Sequence, residues 1–332
     1  VAERLMPLQN RTIVFSIDPE DPKGLYVLTA IVRSRNKTTM VAKRSFLTGP
    51  LTADFFNPAA LPKIDPKIHI PTYLQTFQAL GGNLIIFHPS IGKDRPYYAS
   101  GLTAKRIVPA HDILKALLKE CSRRGIAVLV SVCWDRTKEM SHEEKLLSLC
   151  EIASEIYFRY GGYPAFCGFY LYQDGNERSY AELVRCVGSF IKERLNRGLL
   201  FGCSLSVDDP LAAGYLAQVE ELDMVIARGD VMGSWRRDRM ARHPIRRLAD
   251  FARIVATAAK TCGKMVLGSV ELFAPPAVDE KGICPPEKVR DQVLALACST
   301  PLDGIVMDSV SYTHLRAHET RHDLVCRLLL EK

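Results

Sequence analysis

The chain has 332 residues, 47% hydrophobic and 24% charged, an ordinary globular composition with ample material for a large core in one α/β domain with extras or two medium domains. Its apolar runs are all well short of a membrane span, so no transmembrane helix is expected. The formal net charge is +7, but the basic residues are scattered. The densest groups, Arg236-Arg237-Asp238-Arg239 and Arg246-Arg247, lack the aromatic-interleaved stripe of a nucleic-acid surface, and no nucleic-acid partner is expected.

The chain begins at Val1 without an initiator Met or a signal-peptide pattern, and so reads as a piece that starts inside a longer protein. Localisation stays unknown on this reading. Residues 1–44 are rich in β-branched and aromatic side chains with turn punctuation. Thr12–Ile17 and Leu25–Val32 are strand candidates, and Arg33 to Thr39 is a polar, hairpin-like break. Two or three strands cannot bury a core alone, so this part is expected to be the remnant of an accessory β-domain.

From Ser45 the pattern becomes short apolar runs alternating with longer amphipathic segments. The runs are Phe46-Leu47, Leu84–Phe87, Ile126–Val132, Phe166–Leu171, Leu199–Leu205, Met224–Ile226, Met265–Leu267 and Ile305–Met307. Between them lie stretches of helical period. Ile113, Leu114, Leu117, Leu118 and Cys121 share one face, Leu183, Val187, Phe190, Ile191 and Leu195 another, and Leu248, Phe251, Ile254, Val255 and Ala258 a third. Ser141 and Glu144 have the spacing of a capping box, Asp209-Pro210 places Pro at a first helical position, and Gly125, Gly198 and Gly263 stand where helices should stop. Alternating βα units with near-continuous apolar strands predict a parallel sheet covered by helices, and eight of them predict a (β/α)8 TIM barrel over residues 45–309. An open doubly wound sheet would want a Gly-rich phosphate turn, and the sequence has no such motif. No cofactor is implied.

Ten cysteines (121, 133, 150, 167, 186, 203, 262, 284, 298 and 326) show no C-x-x-C pair and no metal-ligand spacing. Most fall in expected strands or helices as small buried apolar residues, with a weak lean toward a reducing compartment. The last stretch, residues 310–332, resembles one reading frame of a transposase-derived sequencing adapter followed by a flow-cell primer. It is therefore expected to be non-native, and His314, His318 and His322 within it are not read as a metal site. No metal site is expected elsewhere.

In a parallel barrel the chemistry gathers where strands end. Reading those ends in order gives Thr48-Gly-Pro50, His88-Pro-Ser90, Cys133-Trp-Asp-Arg136, Tyr172-Gln-Asp174, Ser206-Val-Asp-Asp209, Arg228-Gly-Asp230, Glu271 and Asp308. Asp174 after strand four and Glu271 after strand seven lie across the mouth of a closed barrel. Paired carboxylates flanking a bond are what glycoside hydrolysis needs, one to protonate the leaving oxygen and one to attack or activate water. His88, Tyr97, Tyr98, Trp134, Tyr172, Gln173, Arg228, Trp235 and Phe273 are candidate substrate-binding residues, the aromatic ones as stacking faces for an oligosaccharide or polysaccharide. Each has a plainer alternative: loop packing for the aromatics, a buried hydrogen-bonded role for His88, and pairing with Asp230 for Arg228. Asp208, Asp209 and Asp230 read better as helix caps or loop residues.

A resemblance attaches to these residues. Ser45-Phe-Leu-Thr-Gly-Pro50, Tyr97-Tyr-Ala-Ser100, Asp112-Ile-Leu through Val128-Leu, Gly168-Phe-Tyr-Leu-Tyr-Gln-Asp174 and Val270-Glu-Leu-Phe273 occur in an order that resembles a bacterial glycosidase-like TIM-barrel family of unknown function. That family is related to the retaining glycosidases with acid/base after strand four and nucleophile after strand seven. The resemblance implies a glycoside hydrolase with Glu271 as nucleophile and Asp174 as acid/base. This chain has Gln173-Asp174 where that clan has Asn-Glu, and Asp is one methylene shorter; Glu177 on the following loop is a possible substitute. The alternative is a non-catalytic carbohydrate-binding barrel with a degraded acid/base position. A Schiff-base lyase is disfavoured, because no strand end presents a Lys.

Overall fold

The computed structural model describes residues 25–34, 37–47, 50–56, 58, 66–88, 97–98, 100–101, 112–133, 140–172, 178–206, 211–229, 244–272, 284–299 and 301–308. Strand β1 (Leu25–Ser34) pairs antiparallel with β2 (Lys37–Leu47), Ser34 in register with Lys37, with a register shift between Ala30 and Ile31. The polar break read at Arg33 to Thr39 thus falls on the facing ends of a hairpin, with residues 35 and 36 outside the described residues. Thr12–Ile17 lies outside the described residues, as does the whole segment 310–332.

Eight further strands close a parallel barrel in the order β10-β3-β4-β5-β6-β7-β8-β9. They are β3 (Leu51–Phe56), β4 (Leu84–Phe87), β5 (Ala127–Ser131), β6 (Phe166–Leu171), β7 (Leu200–Ser206), β8 (Met224–Arg228), β9 (Met265–Glu271) and β10 (Gly304–Asp308). The described helices that follow β3 to β9 in turn are α1 (Pro66–Ala79), α2 (Ile113–Arg124), α3 (His142–Tyr160), α4 (Arg178–Phe190, continued by a π turn, Ile191–Leu195), α5 (Ala212–Ala217), α6 (Pro244–Lys260) and α7 (Pro286–Ser299). None of them is long and apolar enough to cross a membrane.

Seven of the eight expected strands are in place, and the first is not. Phe46-Leu47 belongs to β2 of the hairpin, and the first barrel strand is Leu51-Thr-Ala-Asp-Phe-Phe56. The strand-one mouth is therefore not Thr48-Gly-Pro50 but the end of β3 at Phe56. Asp54 hides this strand from a hydropathy reading because it interrupts the apolar run. In the fold Asp54 is fully buried and accepts a 2.6 Å hydrogen bond from the Tyr73 hydroxyl of α1, which is how a charged side chain is tolerated under a helix.

Helix punctuation follows the sequence closely. Ser141 and Glu144 form a reciprocal capping box at α3, Asp112 caps α2 through the Lys115 N–H, and Gly125 ends α2 in the left-handed region that only glycine enters cheaply. On α6 the face of Leu248, Phe251 and Val255 is buried as expected, whereas Ile254 is exposed. Asp209-Pro210 lies outside the described residues.

Two side-chain devices hold the barrel in register. At the N-terminal end of the strands an Asx residue directly ahead of β4, β8 and β10 accepts the first free N–H of the preceding strand. Asn83 takes that of Thr52 at 3.0 Å, Asp223 that of Phe201 at 2.7 Å and Asp303 that of Val266 at 2.7 Å. Each aspartate also pairs with a helix lysine, Asp223 with Lys192 and Asp303 with Lys260, both at 2.6 Å. These are stabilising contacts on the face opposite the mouth. Asp303→Ala removes a charge-assisted bond to a strand N–H together with its lysine, and is expected to cost about 2 kcal/mol in urea unfolding. A loss under about 0.5 kcal/mol would show that water replaces the clamp.

The second device is a bulge in β6. Phe166 pairs with Val128 and Gly168 with Leu129, so Cys167 is an extra residue. Cys167 faces the barrel axis, and the phase then slips: Phe169 and Leu171 pack outward while Tyr170 and Tyr172 turn inward. Position 168 must be glycine, since a Cβ there would sit 1.9 Å from the Leu200 carbonyl oxygen. The bulge thereby decides which β6 side chains reach the site.

Candidate active site at the barrel mouth

Inside the barrel, residues from alternate strands share a level because the strands are staggered. The register places Phe55, Ser131, Ser204 and Ser269 on one level, from β3, β5, β7 and β9. His88, Tyr172, Arg228 and Asp308, at the ends of β4, β6, β8 and β10, form the next level up. Those four side chains make a connected polar floor. The His88 ring stacks on Tyr172 with centroids 4.4 Å apart and planes 18° apart. The Arg228 guanidinium carbon lies 4.4 Å from the centre of the same Tyr172 ring. Arg228 then donates to Asp308 Oδ2 through Nε at 3.3 Å and Nη2 at 3.2 Å. His88 is anchored from below, its Nδ1 2.8 Å from Ser131 Oγ.

Burial works against the charge on Arg228, but the Asp308 carboxylate and then the Tyr172 and Tyr170 hydroxyls more than offset this and hold its pKa above that of an ordinary arginine. The Tyr170 phenol, two levels lower, is driven well above its usual range by burial and stays neutral. Thiols elsewhere behave likewise, burial pushing Cys203 of β7 up to about 12 and the half-buried Cys150 of α3 up to about 11. At neutral pH they are protonated and chemically quiet, in keeping with their reading as packing residues.

Glu271 ends β9 one step above this floor. Val270 packs outward in the helical layer, so alternation turns Glu271 toward the axis, and the side chain is partly exposed. Its backbone is fixed from α7 by a single amide: Glu271 N donates to Gln292 Oε1 at 3.0 Å, and Gln292 Nε2 donates to Glu271 O at 3.2 Å. Leu272 N donates to Asp308 O at 3.3 Å, tying the end of β9 to the end of β10. The Gln292 amide thus sets the position of this strand end through the Glu271 backbone alone.

Of the sequence-predicted site residues, the structure brings His88, Tyr172, Arg228 and Glu271 together at the mouth. Tyr172 is engaged by His88 and Arg228, which reach it from strands on either side of β6. Arg228 pairs with Asp308. Tyr97 and Tyr98 are buried in the packing between barrel and helices. Tyr98 donates its hydroxyl to Glu155 of α3 at 3.0 Å, and the same carboxylate accepts Ser100 Oγ and Gly101 N, both at 2.6 Å. That cluster pins the loop after β4 to α3, so for Tyr98, with no exposed surface, loop packing is the role the structure displays. Trp134, Gln173, Asp174, Trp235 and Phe273 lie outside the described residues, as does Glu177. Sequence reasoning passed over Asp308, Ser131 and Gln292. Asp308 had a signal, an acid closing the run Ile305-Val-Met, the same pattern that singled out Glu271. Gln292 had none, being one polar residue on an amphipathic helix.

No protein-family model matches this sequence, nor does any curated protein. Solved structures do resemble the fold. A protein from Bacteroides thetaiotaomicron described as a candidate alpha-L-fucosidase aligns with a TM-score of 0.64 at 14% identity, over 83% of this chain and 95% of its own. The endo-1,4-beta-D-mannanase of Thermotoga petrophila aligns at 0.57 and 12% identity, over 78% and 88%. A glycoside hydrolase family 5 protein of Bacteroides vulgatus gives 0.57 and 15%, over 79% and 59%. At these identities the likeness is one of architecture: this chain is a closed (β/α)8 barrel of the fold seen in glycoside hydrolases.

Proposed function

We propose that the protein acts on carbohydrate and hydrolyses a glycosidic bond at the C-terminal mouth of the barrel, with Glu271 as the attacking carboxylate and Asp174 as acid/base. The observation that carries this reading is the placement of Glu271: an inward-facing, partly exposed acid at the end of the seventh barrel strand, its backbone clamped by Gln292. The fold likeness to a mannanase and other glycoside hydrolases points the same way. In this mechanism Glu271 attacks the anomeric carbon while Asp174 protonates the departing oxygen, and water then releases the sugar with Asp174 acting as base. A carboxyl separation of about 5 Å accompanies that double displacement, and a wider gap would make Glu271 the base that activates water instead. His88 and Arg228 present donors to sugar hydroxyls from the floor, with Gln173, Trp134, Trp235 and Phe273 supplied by the surrounding loops.

A second reading, carbohydrate binding without turnover, is favoured by one feature: Asp174 stands where the related clan has a longer Glu. A panel of 4-nitrophenyl glycosides, α-fucoside and β-mannoside first, separates the two. Release of nitrophenol by the parent chain and none by Glu271→Gln supports hydrolysis. Glycan binding by calorimetry with no release from any substrate selects the binding barrel. Undiminished release by Glu271→Gln removes Glu271 from the mechanism.

A further inference from the structure

We propose that Asp308 and Arg228 form a charge-balancing couple for Glu271, with Asp308 as a positioning residue that cancels the field of Arg228 at the next strand end and so sets the pH at which Glu271 ionises. The couple matters for turnover only if Glu271 is the reacting carboxylate, as proposed above.

Asp308 and Glu271 are register partners on β10 and β9, so their Cα atoms lie about 4.8 Å apart and both side chains face the axis. Carboxylates on neighbouring strand ends disfavour each other's ionisation, and a cation between them relieves this. Arg228 is that cation. It donates two hydrogen bonds to one oxygen of Asp308, and the Tyr172 ring at 4.4 Å limits where the guanidinium can go. The arginine side chain keeps 23% exposure and Asp308 only 6%, so the cation is open to the mouth while its counter-ion is the more deeply buried. The other groups that face this trio are His88 beyond the Tyr172 ring with Nδ1 against Ser131, the Tyr172 hydroxyl, the neutral Tyr170 phenol, and, from the α7 side, Gln292 and the Cys284 thiol. In this group Arg228 supplies the cation and Asp308 the anion beside the end of β9.

The couple makes a prediction of opposite signs that a merely structural role does not. Asp308→Asn keeps the shape and an acceptor for Arg228 but unbalances the cation. The titration midpoint of the Glu271 carboxyl, followed by its 13C signal and assigned by the signal missing in Glu271→Gln, is expected to fall by about one unit. Arg228→Gln unbalances Asp308 instead, and the midpoint is expected to rise by about one unit. The double variant restores neutrality and should return the midpoint to the parent value. Shifts of the same sign in both single variants, or no shift in Asp308→Asn, would overturn the couple, and so would a double variant that stays displaced. If Arg228→Gln does not fold, Asp308→Asn and the double variant decide the matter alone. The readout needs no turnover, so a missing hydrolase activity counts against the role of Glu271 and leaves the couple to stand or fall on the titration. In an active enzyme the acidic limb of kcat/KM should move with the same signs.

Discussion

Glu271→Gln is expected to fold as the parent does and to lose glycoside cleavage by on the order of 10²–10⁴-fold even where Glu271 serves as a general base, with a larger loss where it is the nucleophile. The fold should survive because Gln292 holds Glu271 by its backbone N–H and carbonyl, which the substitution leaves intact. The chemistry should not survive, because an amide neither attacks an anomeric carbon nor takes a proton from water. Near-parental melting with cleavage gone is the expected pair of results. A variant that melts far below the parent would make Glu271 a structural acid. The companion change separates the two carboxylates. Asp174→Asn should slow substrates with poor leaving groups far more than activated aryl glycosides, since a good leaving group departs without a proton. Equal slowing of both classes would argue against Asp174 as the acid.

Arg228→Ala is expected to destabilise the barrel by about 3–5 kcal/mol in chemical unfolding. Asp308 is almost fully buried, and removing the guanidinium leaves its carboxylate in a poorly solvated site. The same change empties space beside Tyr172, which loses a cation on its ring. Asp308→Asn should cost less, since an amide oxygen still accepts from Arg228. A hydrophobic pair, Arg228→Met with Asp308→Leu, should recover most of the loss or exceed the parent, because burying two charges costs solvation that their attraction only partly returns. A cost below about 1 kcal/mol for Arg228→Ala would place the pair in the class of exposed ion pairs and remove the buried floor from the account of the site. Activity offers an independent view, for a charged pair that is expensive to bury is most readily understood at a strand-end mouth if it shapes the field there.

The barrel was legible because a parallel strand covered by helices is apolar on both faces. Leu84–Phe87, Ile126–Val132 and Phe166–Leu171 are therefore visible as runs, and the glycines and capping residues between them mark the helices. β3 was missed for the opposite reason. Its buried Asp54 makes it read as polar, and a partner far along the chain, Tyr73 on α1, helps make that aspartate acceptable inside. The apolar Phe46-Leu47 just upstream then looked like the better strand.

The site was half legible. Glu271 could be found because a carboxylate follows an apolar run of strand length, and His88, Tyr172 and Arg228 because they end strands. Tyr97 and Tyr98 were equally plausible as sugar platforms in sequence, yet the Glu155 carboxylate on α3 draws that loop onto the helix and buries the Tyr98 ring. No local pattern announces a helix residue that binds a loop more than fifty positions earlier.

The sequence by itself determined the βα alternation, the number of units, most strand ends and the identity of the acid at the seventh, because these follow from periodicity and turn chemistry within short windows. Tertiary structure alone decided which strand-end side chains meet. The Gly168 bulge reverses the facing of β6 and brings Tyr172 inward, barrel stagger puts residues of alternate strands on one level, and closure sets Asp308 beside Glu271 and within reach of Arg228. Those are consequences of register, which hydropathy does not encode: a one-residue slip leaves composition and pattern almost unchanged and exchanges every inward side chain for an outward one.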